Sequence, residues 1–278
     1  MARRIQFYQL GPVCYRISLW KEGVRKQWRD RREGFRAAEQ RQVQSLPVIV
    51  KSHRSPVLRR LAGVDLALQQ SKRVNLALAA GCIDGILIRP GESFSFWALV
   101  GNPTARRGFG PGLTIASGRL GQGIGGGLCQ AANLIHYLVL HSPLTVSELH
   151  HHSDALFPDD RRRVPFGTGT SIFYPHIDYR FCNHTEQTVQ LRLWLEEDDL
   201  CGELRSEAPF PLRYRLREED SHYVKEGADY YRVSRVYRLS LDAATGKLVE
   251  KQLLLDNHSK VLFDPALIPP EQLREGEP

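Results

Sequence analysis

The sequence predicts an α+β fold with N-terminal helices, a central buried helix after a Gly-rich loop, and mainly antiparallel strands in the C-terminal half. Three observations predict it. Apolar residues recur at helical spacing through the first eighty positions. Residues 121–127 hold five glycines in seven positions and run into an apolar segment, Ala131 to Leu140, rich in Leu, Ile and Ala. After Leu144, short alternating runs are separated by Gly, Asn and Asp turns.

In chain order, residues 19–42 place Trp20, Val24, Trp28, Phe35 and Ala38 at helical steps. Such a stripe is expected first to pack on the protein's own body. Lys21, Arg25, Arg29, Arg32 and Arg36 on the opposite side make an anionic membrane surface the alternative partner for residues 19–42. Leu46 to Val50 is a short apolar run, and Val57 to Ala80 reads as one or two helices. Ile86 to Ile88 is a strand ended by Pro90-Gly91, and Ser93 to Trp97 alternates as a further strand. Residues 100–112 read as loop. Ser142-Pro143 stops the central helix. Leu144 to His152 alternates with period two, which puts His150 and His152 on one face and His151 on the other. Phe166 to Tyr174 reads as strand, Tyr179 to Leu195 as a hairpin around Asn183, and 201–262 as strands with a turn at Asp242 to Gly246.

A chain of 278 residues with 42% hydrophobic and 25% charged residues can bury a full core. We divide it into a basic amphipathic segment 1–45, a core 46–200 and a strand-rich extension 201–278 packed on that core. Residues 1–60 carry 15 Lys and Arg against 4 Asp and Glu, so +11 of charge sits there and −4 in the remainder of the +7 total. No DNA- or RNA-binding motif accompanies that charge, so nucleic acid is not an expected partner. Cysteines 14, 82, 129, 182 and 201 are odd in number and show no CxxC spacing, which argues against a disulfide framework. Met-Ala-Arg-Arg-Ile lacks the apolar core of a signal peptide, and no stretch approaches the ~20 apolar residues of a membrane span. The expected location is cytoplasmic, at most peripheral to the inner face of the membrane.

The chemical candidate is Cys129. At a helix N-terminus its thiol is expected to have a depressed pKa, as a nucleophile needs. A buried small filler is the bland alternative, and a phosphate loop is disfavoured because the Gly-Lys-Ser/Thr ending is missing. His136 lies seven residues along the helix, about 10 Å away, and reads as a core histidine. His150 or His152 is the candidate base, and Asp178, or Asp154, the group that orients it. Backbone N–H groups of Gly125, Gly126 and Gly127, with Gln130, are candidates for holding an oxyanion. The same region admits a zinc site of Cys129, His150, His152 and Asp154 or Asp178; otherwise no cofactor is expected.

Pro90-Gly-Glu-Ser-Phe-Ser-Phe-Trp97, Val100-Gly-Asn-Pro-Thr104, Gly123-Ile-Gly-Gly-Gly-Leu-Cys-Gln130, His141-Ser-Pro-Leu-Thr-Val146 and His150-His-His-Ser153 resemble the VanW family over roughly residues 45–265. The resemblance implies a link to glycopeptide resistance and the cell envelope, with the family's Cys-Gln on Cys129 and Gln130, its paired histidines on His150 and His152, and its later acid on Asp178. Many relatives have Gly-x-Asp-Ala-Thr where this chain reads Gly167-Thr-Gly-Thr-Ser171, so Gly169 replaces an acid. Three functions follow as expectations: a Cys-His enzyme acting on amide or peptide bonds of peptidoglycan or its precursors, a non-catalytic accessory module that binds a cell-wall peptide, precursor or partner enzyme, or a metal-binding protein.

Overall fold

The computed structural model describes residues 7, 10–57, 66–116, 119–151, 154–155, 158 and 164–275. Helix α1 (Pro12–Arg32) begins with proline in its first turn, where a missing N–H is harmless. It ends with Arg29, Arg31 and Arg32 against the negative end of its dipole. There follow β1 (Val48–Pro56), α2 (Leu66–Ile83), β2 (Ile86–Ile88), β3 (Ser93–Ser95) and α3 (Phe96–Val100). Next come β4 (Pro111–Ala116), β5 (Arg119–Ile124), α4 (Cys129–Leu140), β6 (Thr145–Glu148), β7 (Asp154–Ala155) and β8 (Arg180–Cys182). The rest is strand: β9 (Val189–Glu196), β10 (Asp199–Ser206), β11 (Leu212–Glu226), β12 (Asp229–Asp242), β13 (Leu248–Val261) and β14 (Leu273–Glu275). The α+β class is as expected. The part of the expected early helices before Leu66 lies outside the described residues.

An antiparallel sheet in the order β1-β10-β9-β2 forms the floor of the main core, and α2 and α4 pack on it. Helix α4 buries Ala131, Ala132, Leu134, Ile135, Leu138, Val139 and Leu140, each large side chain worth roughly 1.5–3 kcal/mol on burial. Gly202 on β10 lets it come close: a Cβ there would run into Leu134 and Leu138. A second antiparallel sheet, β3-β8-β6, stacks Phe94 on Phe181 beneath the same core. The third sheet, β14-β11-β12-β13-β7, has two parallel edge pairings, β11 with β14 and β13 with β7, and only a small apolar cluster around Phe166, Tyr223 and Val261. Strand β10 spans the expected boundary at residue 200 and is hydrogen-bonded into the main sheet on both sides.

Several local expectations need correction. Ser93 to Trp97 is strand only to Ser95, whose Oγ accepts the Ala98 N–H at 3.1 Å and caps α3. The glycine-rich stretch is not all loop: β4 and β5 form a hairpin that pairs Gly112 with Gly123. Strand β6 stops at Glu148, two residues before the first histidine. No strand runs through 166–174, where one isolated bridge joins Phe173 to Ile177. The expected hairpin around Asn183 is absent, because β8 pairs with β3 and β6 whereas β9 pairs with β10 and β2. The buried Asn183 side chain bridges this change of sheet by donating to Ile88 O at 2.8 Å and Gln187 O at 2.9 Å.

The largest correction concerns α1. Trp20 and Trp28 are 70% and 73% exposed, so the expected stripe is not the docking face. The helix docks instead through Gly23, Lys26 and Asp30: Lys26 is 8% exposed, and Gly23 lies against Pro175. Phe35 and Ala38, expected on the same stripe, lie beyond the end of the helix, and Ala38 is buried through its own contact with Ser93.

Candidate functional site around Cys129 and the Asp178 hub

The β4–β5 hairpin delivers the chain to α4 through Gly125-Gly126-Gly127. Gly125 and Gly127 have φ of 78° and 90°, a region that disfavours any side chain. Gly126 lies flush on Gly112, where a Cβ would stand closer than 3.0 Å to that backbone. Asn75, fully buried on α2, fixes the arrangement by donating to Gly110 O at 3.1 Å and Gly126 O at 2.9 Å while accepting the Gly110 N–H at 2.8 Å. The N–H groups expected to hold an oxyanion are engaged: Gly125 donates to Gly110 O, Gly126 to Gly123 O and Gly127 to Leu113 O. Gln130 faces away, its Nε2 donating to Ser55 O and Oγ and to Pro56 O, and so ties α4 to the end of β1.

Cys129 opens α4, as expected, but its thiol is not activated by that position. Its Sγ donates to Ile172 O at 3.9 Å, under the segment 167–173 that crosses the helix. Burial pushes the thiol above its ordinary 9.0, and its hydrogen bonds to Ile172 and to its own backbone offset only part of that. The expected depression is reversed because burial outweighs the helix end, whose backbone donors are in use: Gln130 N donates to Gly127 O, and Ala131 and Ala132 N to Leu128 O.

Asn133, one turn on, accepts the Thr170 N–H at 2.6 Å through Oδ1. Position 169 stands over it, a Cβ there falling 3.4 Å from Asn133 Oδ1. The family's acid would therefore sit one turn along α4 from the cysteine. His136 is 2% exposed and its Nδ1 meets the Tyr179 hydroxyl at 3.1 Å. Burial, with the neighbouring His151, lowers its pKa to about 3, so the ring is neutral at physiological pH. This is the satisfied core histidine that the spacing suggests.

His150 reaches this region through its backbone, with Ser171 N donating to His150 O at 2.6 Å. Its imidazole pairs elsewhere, Nε2 lying 3.1 Å from Glu148 Oε1. His151 places Nδ1 3.3 Å from Gly167 O. His152 lies outside the described residues, and of Asp154 only the backbone is described, in β7. Among the described residues no group of three or more His, Cys, Asp or Glu could hold a metal ion.

Among the described residues, no histidine bonds to Asp178. It is fully buried and accepts from Lys26 Nζ at 2.8 Å, Ser95 Oγ at 2.5 Å, Arg180 Nε at 2.9 Å, and the N–H groups of Trp97 and Tyr179 at 3.1 and 2.9 Å. Burial alone would raise its pKa, but the Lys26 charge and the hydrogen bonds from Lys26, Ser95 and Arg180 prevail and hold it below 3.8. Arg180 also grips Asp30 of α1 in a two-pronged pair at 2.6 and 2.8 Å. Glu148 joins the cluster by accepting the Asp178 N–H at 2.9 Å and standing 3.9 Å from Lys26 Nζ. Sequence reasoning missed Asn75, Asn133, Lys26 and Glu148. A signal existed for Asn75, a polar residue inside the otherwise apolar run Val74 to Ala80.

A cavity of about 510 Å³ opens elsewhere, beside Tyr137, His53, Trp194 and Glu203. Tyr137 is eight residues along α4 from Cys129, about 12 Å at helical rise. The cavity and the cysteine are thus separate places.

Comparison with known proteins places these motifs. A family model described as VanW like protein matches residues 71–205. The chain is 32% identical over 201 residues to the vancomycin B-type resistance protein VanW of Enterococcus faecalis (strain ATCC 700802 / V583), covering 72% of this chain and 73% of that protein. It is 29% identical over 123 residues to the uncharacterized protein YoaR of Bacillus subtilis (strain 168), covering 44% of this chain and 39% of the relative. No solved structure matches the chain.

Proposed function

This chain belongs to the VanW family, which is associated with vancomycin resistance, and from that membership we propose that it serves glycopeptide resistance as a non-catalytic accessory module that binds a cell-wall peptide or precursor. The observation that carries this reading is the setting of Cys129: partly buried against the main core, its thiol bonded to the Ile172 carbonyl and pushed by burial above its ordinary pKa. A thiol in that state is a poor nucleophile at neutral pH. The Gly-rich stretch then acts as scaffold, since its N–H groups already have acceptors within the chain. The surface we assign to the ligand is the cavity beside Tyr137, where Tyr137, itself packed against His53 and His141, and Trp194 supply aromatic wall and Glu203 and Ser52 supply polar groups that a peptide can meet.

Two measurements test it. Cys129→Ala in a glycopeptide-resistant host should leave the resistance level unchanged, and loss of resistance with a folded protein would overturn the reading. Calorimetric titration with a synthetic cell-wall stem pentapeptide should show binding that Tyr137→Ala weakens at least tenfold; equal affinity for both proteins would remove the cavity as the site.

A second reading, a cysteine-dependent enzyme acting on amide or peptide bonds of peptidoglycan, is favoured by one observation: Cys129, Asn133 and the segment that bonds to His150 and His151 meet at the first turns of α4. It requires iodoacetamide to label Cys129 ahead of the other four cysteines near neutral pH. The accessory reading expects Cys129 to alkylate only as the pH passes 9.0.

A further inference from the structure

Helix α1 is held by one face and presents the opposite one. At 100° per residue, Lys26, Asp30 and Gly23 centre the docked face. Val13, Ile17, Trp20, Val24 and Trp28 fall within an arc of about 80° whose middle lies roughly 130° away from it. Four of these five side chains are strongly exposed: Val13 69%, Ile17 47%, Trp20 70% and Trp28 73%. Leu10, 64% exposed, continues the patch beyond the first turn. Scattered exposed apolar residues are ordinary, but an apolar stripe four turns long with two tryptophans is not. No contact among the described residues covers it.

The borders of the stripe are cationic. Arg16 lies on one side, Lys21, Arg25 and Arg32 on the other, and Arg31 between, all exposed. Its only acids are Glu22 and Asp30, and both are engaged, Glu22 by Arg25 and Asp30 by Arg180. Tryptophans with a ring for the apolar side and an indole N–H for the wet side, flanked by Lys and Arg, are what the interface of an anionic bilayer accommodates. A positive rim on an apolar strip is poorly matched to a second copy of the same helix, whose rim would repel it. No helix of the described chain is long and apolar enough to cross a membrane, so α1 would lie in the plane of the surface.

We propose that α1 is a surface anchor that seats Val13, Ile17, Trp20 and Trp28 in the headgroup region of an anionic lipid bilayer, with Arg16, Lys21 and Arg32 on the lipid phosphates. The Lys26–Asp178 and Asp30–Arg180 pairs fix the roll angle of the helix so that this face points outward. The anchor stands independently of what the cavity beside Tyr137 binds.

The test is co-sedimentation of the full chain with vesicles of phosphatidylglycerol mixed with phosphatidylcholine, and with phosphatidylcholine alone, across a salt series. Binding to the anionic vesicles at low salt, weakened by salt and by removal of phosphatidylglycerol, is expected. Tryptophan emission should shift to the blue, since Trp20 and Trp28 are exposed whereas Trp97 is buried. Trp20→Ala/Trp28→Ala, at positions that touch little of the fold, should weaken vesicle binding at least tenfold with an unchanged melting temperature. Lys21→Gln/Arg32→Gln should reduce the salt dependence. No sedimentation at low salt, or equal binding by the tryptophan variant, overturns the proposal. So does concentration-dependent self-association that the tryptophan variant abolishes, which would make a second copy the occupant.

Discussion

Replacing Lys26 by Met removes one cation from a fully buried carboxylate and keeps most of the apolar stem. Stranding a buried charge generally costs about 3–5 kcal/mol. Asp178 is not wholly stranded: Arg180 Nε at 2.9 Å, Ser95 Oγ at 2.5 Å and the N–H groups of Trp97 and Tyr179 remain. The loss should therefore sit at or below the lower end, about 2–3 kcal/mol. For a chain of this size that is a fall of roughly 4–12 °C in melting temperature, read by calorimetry or circular dichroism. The pH profile carries a second signature. Asp178 has a folded pKa below 3.8, so its contribution is present above 3.8 and is lost as the pH falls through the folded value. Without the Lys26 charge that folded value rises, and the acid loss must begin at a higher pH. A Lys26→Met protein that melts with wild type and follows the same acid profile would refute the reasoning and leave Arg180 as the sufficient partner.

Other outcomes follow from the same geometry. Gly126→Ala must drive a methyl into the Gly112 backbone and should destabilise by about 3 kcal/mol or more, or prevent folding. Gly81→Ala, in α2 with open space around it, should stabilise by about 0.5–1 kcal/mol, and comparison of the two melts checks that space and not glycine content decides. His136 and His141, lowered to about 3 and about 4, stay neutral in the fold while the unfolded chain takes up protons below 6.5. Their stability is present above 6.5 and lost as the pH falls through those folded values, and His136→Gln should flatten the slope by about 1.4 kcal/mol per pH unit in denaturant titrations between pH 4 and 6.

The parts legible in the sequence are those that local chemistry decides. Helix α4 is apolar nearly all round and is stopped by Ser142-Pro143, so its burial and end could be read directly. The turn at Asp242 to Gly246 between β12 and β13 likewise follows from its residues. The β4–β5 hairpin could not be read, because Gly121, Gly123 and Gly112 have poor strand propensity, and the contact of Gly112 with Gly126 comes from residues fourteen apart. The facing of α1 was hidden for another reason: periodicity shows that a stripe exists but not which side of the helix meets the protein. That side was chosen by two ion pairs spanning 152 and 150 residues, which no window along the chain contains. The site divides in the same way. Cys129 at the start of α4 was visible, whereas the carbonyl of Ile172 above it and three of the five donors around Asp178, from Lys26, Ser95 and Trp97, come from distant segments.

That separation has a consequence during synthesis. Lys26 and Asp30 are made 152 and 150 residues before the groups that seat them. At about 5–20 residues per second, α1 waits roughly 8–30 s, with its lysine and its tryptophans equally unaccommodated, before residue 178 has been polymerised. Helix α1 is fastened only after α2, α3 and α4 have all been made. For that interval α1 is a basic amphipathic segment awaiting its partners, and under the anchoring proposed above an anionic surface near the ribosome would hold it before the body that will fix its orientation has formed.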